Sequence, residues 1–154
     1  MLERILLVDD SPDDAKLLQR ALKKAGLDDP VFWIQDPQQA IAYLNGDGHY
    51  SDRTRFPIPD ILLLDVRMPH TDGLALLTWA KKQPQLKKTV VIMVSHLRDL
   101  HLIKLGYQLG AHSFIDKAGS AEEFETFVQF AKSLAAITKP PSTSGAEGEQ
   151  ARVA

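Results

Sequence analysis

Short apolar runs alternate with longer amphipathic segments along this chain, the pattern of strands joined through helical crossovers into a parallel sheet. Ile5–Val8 is the first run. Ser11-Pro12-Asp13-Asp14 follows, with an N-cap hydroxyl, a proline at the first helical position and acids in the first turn, where the helix dipole favours them. Ala15, Leu18, Ala21, Leu22 and Ala25 then share one helical face, and Gly26 is placed to end that helix in a left-handed conformation. A second strand is predicted at Val31–Ile34, and a short helix capped by Asp36-Pro37 carries Ala40, Ile41 and Leu44 inward before stopping at Asn45-Gly46. The run 61–64 is a third strand, 73–82 a helix with Leu74, Leu77 and Ala80 inward, and the β-branched run 89–94 a fourth strand. Residues 97–109 read as helix and 113–115 as a last strand after the turn glycine Gly110. Ser120-Ala121-Glu122-Glu123 is a capping box, opening a final helix that buries Phe124, Phe127, Val128, Ala131 and Leu134. Five strands and five helices in strict alternation predict an α/β fold with an open, doubly wound parallel sheet.

Two stretches fall outside this rhythm. Residues 46–57 are polar, glycine-bearing and without period, so they read as an exposed loop, an interaction loop or a harmless insertion. From 138 to 154 the composition turns to Pro, Ser, Gly and charge, with almost nothing to bury. The expectation is one domain over residues 1–137 and a disordered tail over 138–154, with no output domain after it. The 154 residues and 44% hydrophobic content suit one such core.

Charge narrows the function by exclusion. Eighteen basic and 20 acidic residues are mixed along the chain for a formal net charge of -2, with no basic block to track a nucleic-acid backbone. There is no cysteine, which excludes disulfides, thiolate metal sites and cysteine nucleophiles. The first apolar run is too short, and too acidic behind, for a signal peptide or membrane span. The protein is expected in the cytoplasm, binding neither membrane nor nucleic acid.

In a doubly wound sheet, ligands gather at the carboxyl ends of the strands. Asp9 and Asp10 close the first strand, Asp65 the third and Ser95 the fourth, and Lys117 lies just past the fifth. Three carboxylates brought together repel one another, and a hard divalent cation such as magnesium keeps them ionised. Asp65 then retains an oxygen as nucleophile, beside a lysine and a hydroxyl able to hold a phosphoryl group. The chemistry suggested is phosphoryl transfer to an aspartate.

The segments LLVDDSP, DILLLDVRMPHTDG, VIMVSH and GAHSFIDK resemble, in order and spacing, the receiver domain of two-component response regulators, the CheY-like family, over about residues 2–134. The resemblance implies strand order 2-1-3-4-5 and a Mg2+ ion held by Asp10 directly, by Asp9 largely through water, by Asp65, and by the backbone carbonyl of Arg67. It implies Asp65 as phospho-acceptor, Ser95 as switch hydroxyl, Lys117 as phosphate partner and Phe114 as switch aromatic, with Met68-Pro69 and Asp72-Gly73 shaping the loop after the acceptor. It further implies a histidine kinase as partner. Residues 46–57 and GYQLGA, residues 106–111, resemble stand-alone regulators serving phytochrome-type kinases. Such a protein is no enzyme in the ordinary sense, catalysing only its own phosphoryl transfer and dephosphorylation.

Three positions depart from the usual receiver pattern. Ala118 follows Lys117 where the family carries a cis proline, a bond costing roughly 3 kcal/mol before other residues. Arg67 and Leu97 flank the path of a hydrolysing water, a bulky pair expected to slow loss of the phosphoryl group. Phe114 replaces the commoner tyrosine. Residues 97–109 carry two apolar stripes, Leu102, Leu105 and Leu109 on one face and Leu100, Ile103 and Tyr107 on another; either the helix is buried more deeply than usual or one stripe is available for association. With Phe114 and the last helix it would form the face that receivers use to dimerise or bind targets. His96, His112 and Trp79 read as packing or surface residues; so does Trp33, near a sheet edge where it could also serve a partner. Two rivals stay open: a receiver that binds partners without being phosphorylated, and a magnesium phosphatase with an aspartyl nucleophile, which would need a DxD spacing that Asp9-Asp10-Ser11 lacks.

Overall fold

The computed structural model describes residues 4–24, 26, 31–66, 73–95 and 100–117, and beyond them residues 122, 125, 126, 129, 130 and 133. Its elements run β1 (Ile5–Val8), α1 (Pro12–Lys24), β2 (Val31–Ile34), α2 (Pro37–Asn45), β3 (Ile61–Asp65), α3 (Gly73–Lys81), β4 (Val90–Ser95), α4 (Leu100–Gln108) and β5 (Ser113–Asp116), with 3-10 turns at Gly48–Tyr50 and Pro84–Leu86. All strand pairs are parallel, in the order β2-β1-β3-β4-β5. Glu122, Glu125, Thr126, Gln129, Phe130 and Ser133 are helical, on the segment where a fifth helix is predicted. Ser120, Phe124, Phe127, Val128, Ala131, Leu134 and residues 138–154 lie outside the described residues.

β1, β2 and all but the last residues of β3 and β4 are unbroken apolar runs because helices cover both faces of the sheet. Strand alternation sorts their side chains into two cores. Leu6, Val8, Leu62, Leu64, Val91 and Met93 pack with Ala40, Tyr43 and Leu44 of α2 and Leu74, Leu77 and Ala80 of α3. Ile5, Leu7, Ile61, Leu63, Ile92, Val94 and Ile115 pack instead with Ala15, Leu18 and Leu22 of α1. The helix ends follow their caps. Ser11 Oγ accepts from the Asp14 N–H at 3.2 Å, Asp36 Oδ1 accepts from the Gln38 N–H at 3.1 Å, and Gly26 and Gly46 sit at φ 85° and 74°, the left-handed region that glycine enters without steric cost.

Residues 46–57 are exposed over most of their length, as expected of a loop, but the segment is tied down at three points. Tyr50 and Phe56 meet edge-to-face at 5.2 Å between ring centroids and pack on Tyr43 of α2 at 5.2 and 6.0 Å. Phe56 also reaches Phe32 of β2 at 6.1 Å. Arg53 folds back to donate from Nη1 to the carbonyls of Tyr43 (2.7 Å) and Phe56 (3.0 Å), and from Nη2 to that of Leu44 (2.8 Å). Carbonyls in the last turn of a helix have no intrahelical partner; the guanidinium serves those of Tyr43 and Leu44, the first beside the Gly46 N–H at 3.1 Å. The Tyr43 hydroxyl donates to the Pro57 carbonyl at 2.9 Å, and burial pushes its pKa up to about 12 against the opposing charge of Arg53.

The stripes of α4 also differ from expectation. Leu102 and Leu109 pack against the core, but Leu105 is exposed, and the buried position between them is Gly106. A Cβ there would overlap the Met93 thioether, so the helix rests on β4 by its backbone. Leu100 and Tyr107 of the other stripe are exposed, Leu100 to 79%, while Ile103 is half-buried.

Candidate functional site

Asp9, Asp65 and Lys117 continue the alternation of Leu7, Leu63 and Ile115, which brings them to the α1 face of the sheet at its carboxyl edge. The ladder runs on through these positions, with the Asp9 N–H on the Ile34 carbonyl at 3.2 Å and the Lys117 N–H on that of Ser95 at 2.9 Å. β4 stands between β5 and β3, two inter-strand spacings of about 4.8 Å, a gap that the four-methylene lysine side chain can reach across. Lys117 Nζ lies 2.7 Å from Asp9 Oδ2, 3.0 Å from Asp14 Oδ2 and 3.1 Å from Asp65 Oδ2. Burial pushes the Lys117 pKa down, but the hydrogen bond to Asp9, the charges of Asp65 and Asp9 and the hydrogen bond to Asp14 outweigh it and hold the ammonium above the ordinary lysine value.

The acidic pair is fixed from behind by the strand end and by the edge strand β2. Asp9 is fully buried; its Oδ1 accepts from the Ser11 N–H at 3.0 Å. Its Oδ2 has the Lys117 ion pair and, among the described residues, no other hydrogen-bond partner. Trp33 Nε1 donates to the Asp9 carbonyl at 2.8 Å and Gln35 Nε2 to the Asp10 carbonyl at 3.1 Å. Trp33 is thus a support of the site as well as a packing residue.

Carboxylate oxygens of Asp9, Asp10 and Asp65 lie within 4.8 Å of one another, with Asp10 the member open to solvent. These residues fit a hard divalent cation. The donors are all oxygen, the carboxylates outnumber the ammonium, and a buried oxygen of Asp9 with so few partners gains from added positive charge. Ser95 is buried at the end of β4, opposite Asp116 in the ladder. Phe114 is half-buried, opposite Met93, on the face away from α1. Gly73 opens α3 against the backbone of Asp65 and Val66, since a Cβ there would overlap the Asp65 carbonyl oxygen and Val66 Cα. Arg67, Met68, Pro69, Asp72, His96, Leu97 and Ala118 lie outside the described residues. Sequence reasoning missed the lysine contact of Asp14, which it read as a helix-dipole acid. The signal was present, because Asp14, Leu18 and Leu22 are spaced i, i+4, i+8 on the inward face of α1.

Residues 5–129 match the family described as response regulator receiver domain. The chain belongs to that family. Receivers are components of two-component systems, and relatives sharpen the comparison. This receiver is 30% identical over 138 residues to Response regulator Rcp1 of Synechocystis sp. (strain ATCC 27184 / PCC 6803 / Kazusa), an alignment covering 88% of this chain and 92% of Rcp1. Its fold is similar to that of the phosphorylated cyanobacterial phytochrome response regulator RcpA, with TM-score 0.75 and 29% identity over 92% of this chain and 100% of the other. It is likewise similar to the Mn(2+)-bound form of Rcp1, with TM-score 0.71 and 29% identity over 85% and 92% of the two chains. No helix among the described residues is long and apolar enough to cross a membrane.

Proposed function

We propose that this receiver takes a phosphoryl group onto Asp65 from the phosphohistidine of a histidine kinase and signals in the cytoplasm by binding other proteins. The observation that carries this reading is the meeting of Asp65, two further carboxylates and the Lys117 ammonium at one strand edge. A phytochrome-type kinase is the narrower choice, supported by the phytochrome response regulator among its structural relatives.

Asp9, Asp10, Asp65 and the Arg67 carbonyl would hold Mg2+, which when bound supplies charge neutralisation for the carboxylates and for phosphoryl oxygens. A carboxylate oxygen of Asp65 attacks phosphorus, the P–N bond to the kinase imidazole breaks, and the imidazole nitrogen keeps that electron pair and leaves with a proton. Lys117 gives an N–H to a phosphoryl oxygen in exchange for its bond to Asp65. The Ser95 hydroxyl donates to another, and Phe114 follows it inward. Hydrolysis reverses the state when water attacks phosphorus, releasing phosphate and the Asp65 carboxylate; the bulk of Arg67 and Leu97 slows that attack to a lifetime longer than seconds. The output face is α4 with β5 and the helical segment after it, where Leu100, Tyr107 and Phe130 are exposed, and a homodimer through this face is one form of the output.

Incubation with magnesium and acetyl phosphate tests the reading by intact mass. The expected result is a gain of one phosphoryl group in the wild type and none in Asp65→Asn. No gain, or a gain that persists in the variant, overturns it.

A further inference from the structure

An ammonium has three N–H donors, and at Lys117 three carboxylates stand ready for them. Two belong to the machinery already described. Asp14 does not: it lies outside the cluster of three that would hold the cation, and it is not the acceptor. Nor is it required to keep the lysine in place. The Lys117 side chain is 5% exposed and paired at 2.7 Å with the fully buried Asp9, whereas Asp14 sits on the open side, its own side chain 20% exposed.

We propose that Asp14 is an internal competitor for Lys117, withholding one of its donors from the phosphoryl group and so limiting how tightly the site holds that group. The inference rests on the reading of Asp65 as acceptor. A phosphoryl group brings close to two negative charges and three acceptor oxygens. On Asp65 it draws the N–H now given to Asp65 Oδ2 at 3.1 Å, and a second N–H can follow only when Asp14 releases it. Asp14 holds its position because it is part of the first turn of α1. Its backbone N–H is bound by Ser11 Oγ at 3.2 Å, its side chain takes Lys117 at 3.0 Å, and the helix N-terminus favours its charge. It therefore keeps a share of the lysine in both states, as a carboxylate of fixed position set against a phosphoryl group that comes and goes.

The test is a titration with fluoroberyllate, a phosphoryl analogue, in saturating magnesium, followed by the fluorescence of Trp33 and Trp79, on wild type, Asp14→Asn and Asp14→Glu. Lifetimes of the phosphorylated proteins after removal of acetyl phosphate are measured in parallel. The expected half-saturating fluoroberyllate falls about two- to fivefold in Asp14→Asn, the range of a part-exposed ion pair, and the phosphoryl lifetime lengthens. Asp14→Glu, which restores the charge, returns both toward wild type. Unchanged binding in Asp14→Asn overturns the proposal, and so does weaker binding, which would make Asp14 an aid that orients the lysine. Either result leaves the acceptor reading standing. A wild type that binds no fluoroberyllate and gains no phosphoryl mass overturns both.

Discussion

His112 touches β4 twice, its backbone N–H donating to the Val91 carbonyl at 2.8 Å and its Nδ1 accepting from the Val91 N–H at 3.0 Å. An accepting Nδ1 carries no proton, so the ring is neutral with its hydrogen on Nε2. Burial, then the charge of Lys81, push its pKa below the ordinary 6.5. Above pH 6.5 the ring is neutral folded or unfolded, and its contribution is complete. Below 6.5 the unfolded chain takes up a proton that the native ring refuses, so stability falls until pH passes the depressed native value and then levels. The expected observation is a urea midpoint that declines with acidification through this window, and a shallower decline in His112→Gln. No residue pattern announces such a contact, since an imidazole bonded to backbone leaves no spacing behind. Asp9, Asp65 and Lys117 are different. Each ends or follows an apolar strand run, and the strand-end rule alone brings them together. Asp14 escaped because a first-turn acid already has a sufficient local explanation.

At the scale of elements, the strands and the first three helices could be read from period and caps, because burial of a whole face leaves a regular trace. Residues 46–57 left none. Their aromatics are irregularly spaced, and the residue that ties them down is an arginine turned inward onto three carbonyls. Arg53→Ala removes three hydrogen bonds, leaving the Gly46 N–H on the Tyr43 carbonyl and a long bond from Gln85 on that of Leu44, and is expected to lower stability by about 2 kcal/mol, seen as a lower urea midpoint at unchanged slope, while phosphoryl uptake at Asp65 persists. The stripes of α4 were misjudged at Leu105 for a related reason. Hydropathy scores side chains, and the residue that approaches the core most closely there, Gly106, has none.

For the whole molecule, a near-neutral chain conceals a polarised one. Winding helices over both faces leaves the carboxyl edge of the sheet as the place where, among the described residues, Asp9, Asp10, Asp14 and Asp65 gather around one ammonium. Their mutual repulsion is a cost of folding that a bound cation relieves. Magnesium is therefore expected to raise the thermal midpoint in a concentration-dependent way, about 2.7 kcal/mol of added stability at a hundredfold excess over its dissociation constant. Asp10→Asn should lose most of that increment, which differential scanning calorimetry would measure. The doubly wound class followed from the alternation of elements, but the order of the strands came from the family resemblance, since hydropathy does not say which strand neighbours which.

The contact between Gly106 and Met93 has a mechanical side. A helix seated by interlocking side chains must withdraw a knob from its socket before it can shift. α4 instead meets β4 with bare backbone against a thioether, a side chain of three soft torsions that re-forms around whatever lies on it. Met93 is also the ladder neighbour of Phe114, so the cushion beneath α4 borders that ring. At that crossing the helix rides on a compliant bearing, and a small push from that side meets fitted side chains only where Leu102 and Leu109 pack on the core.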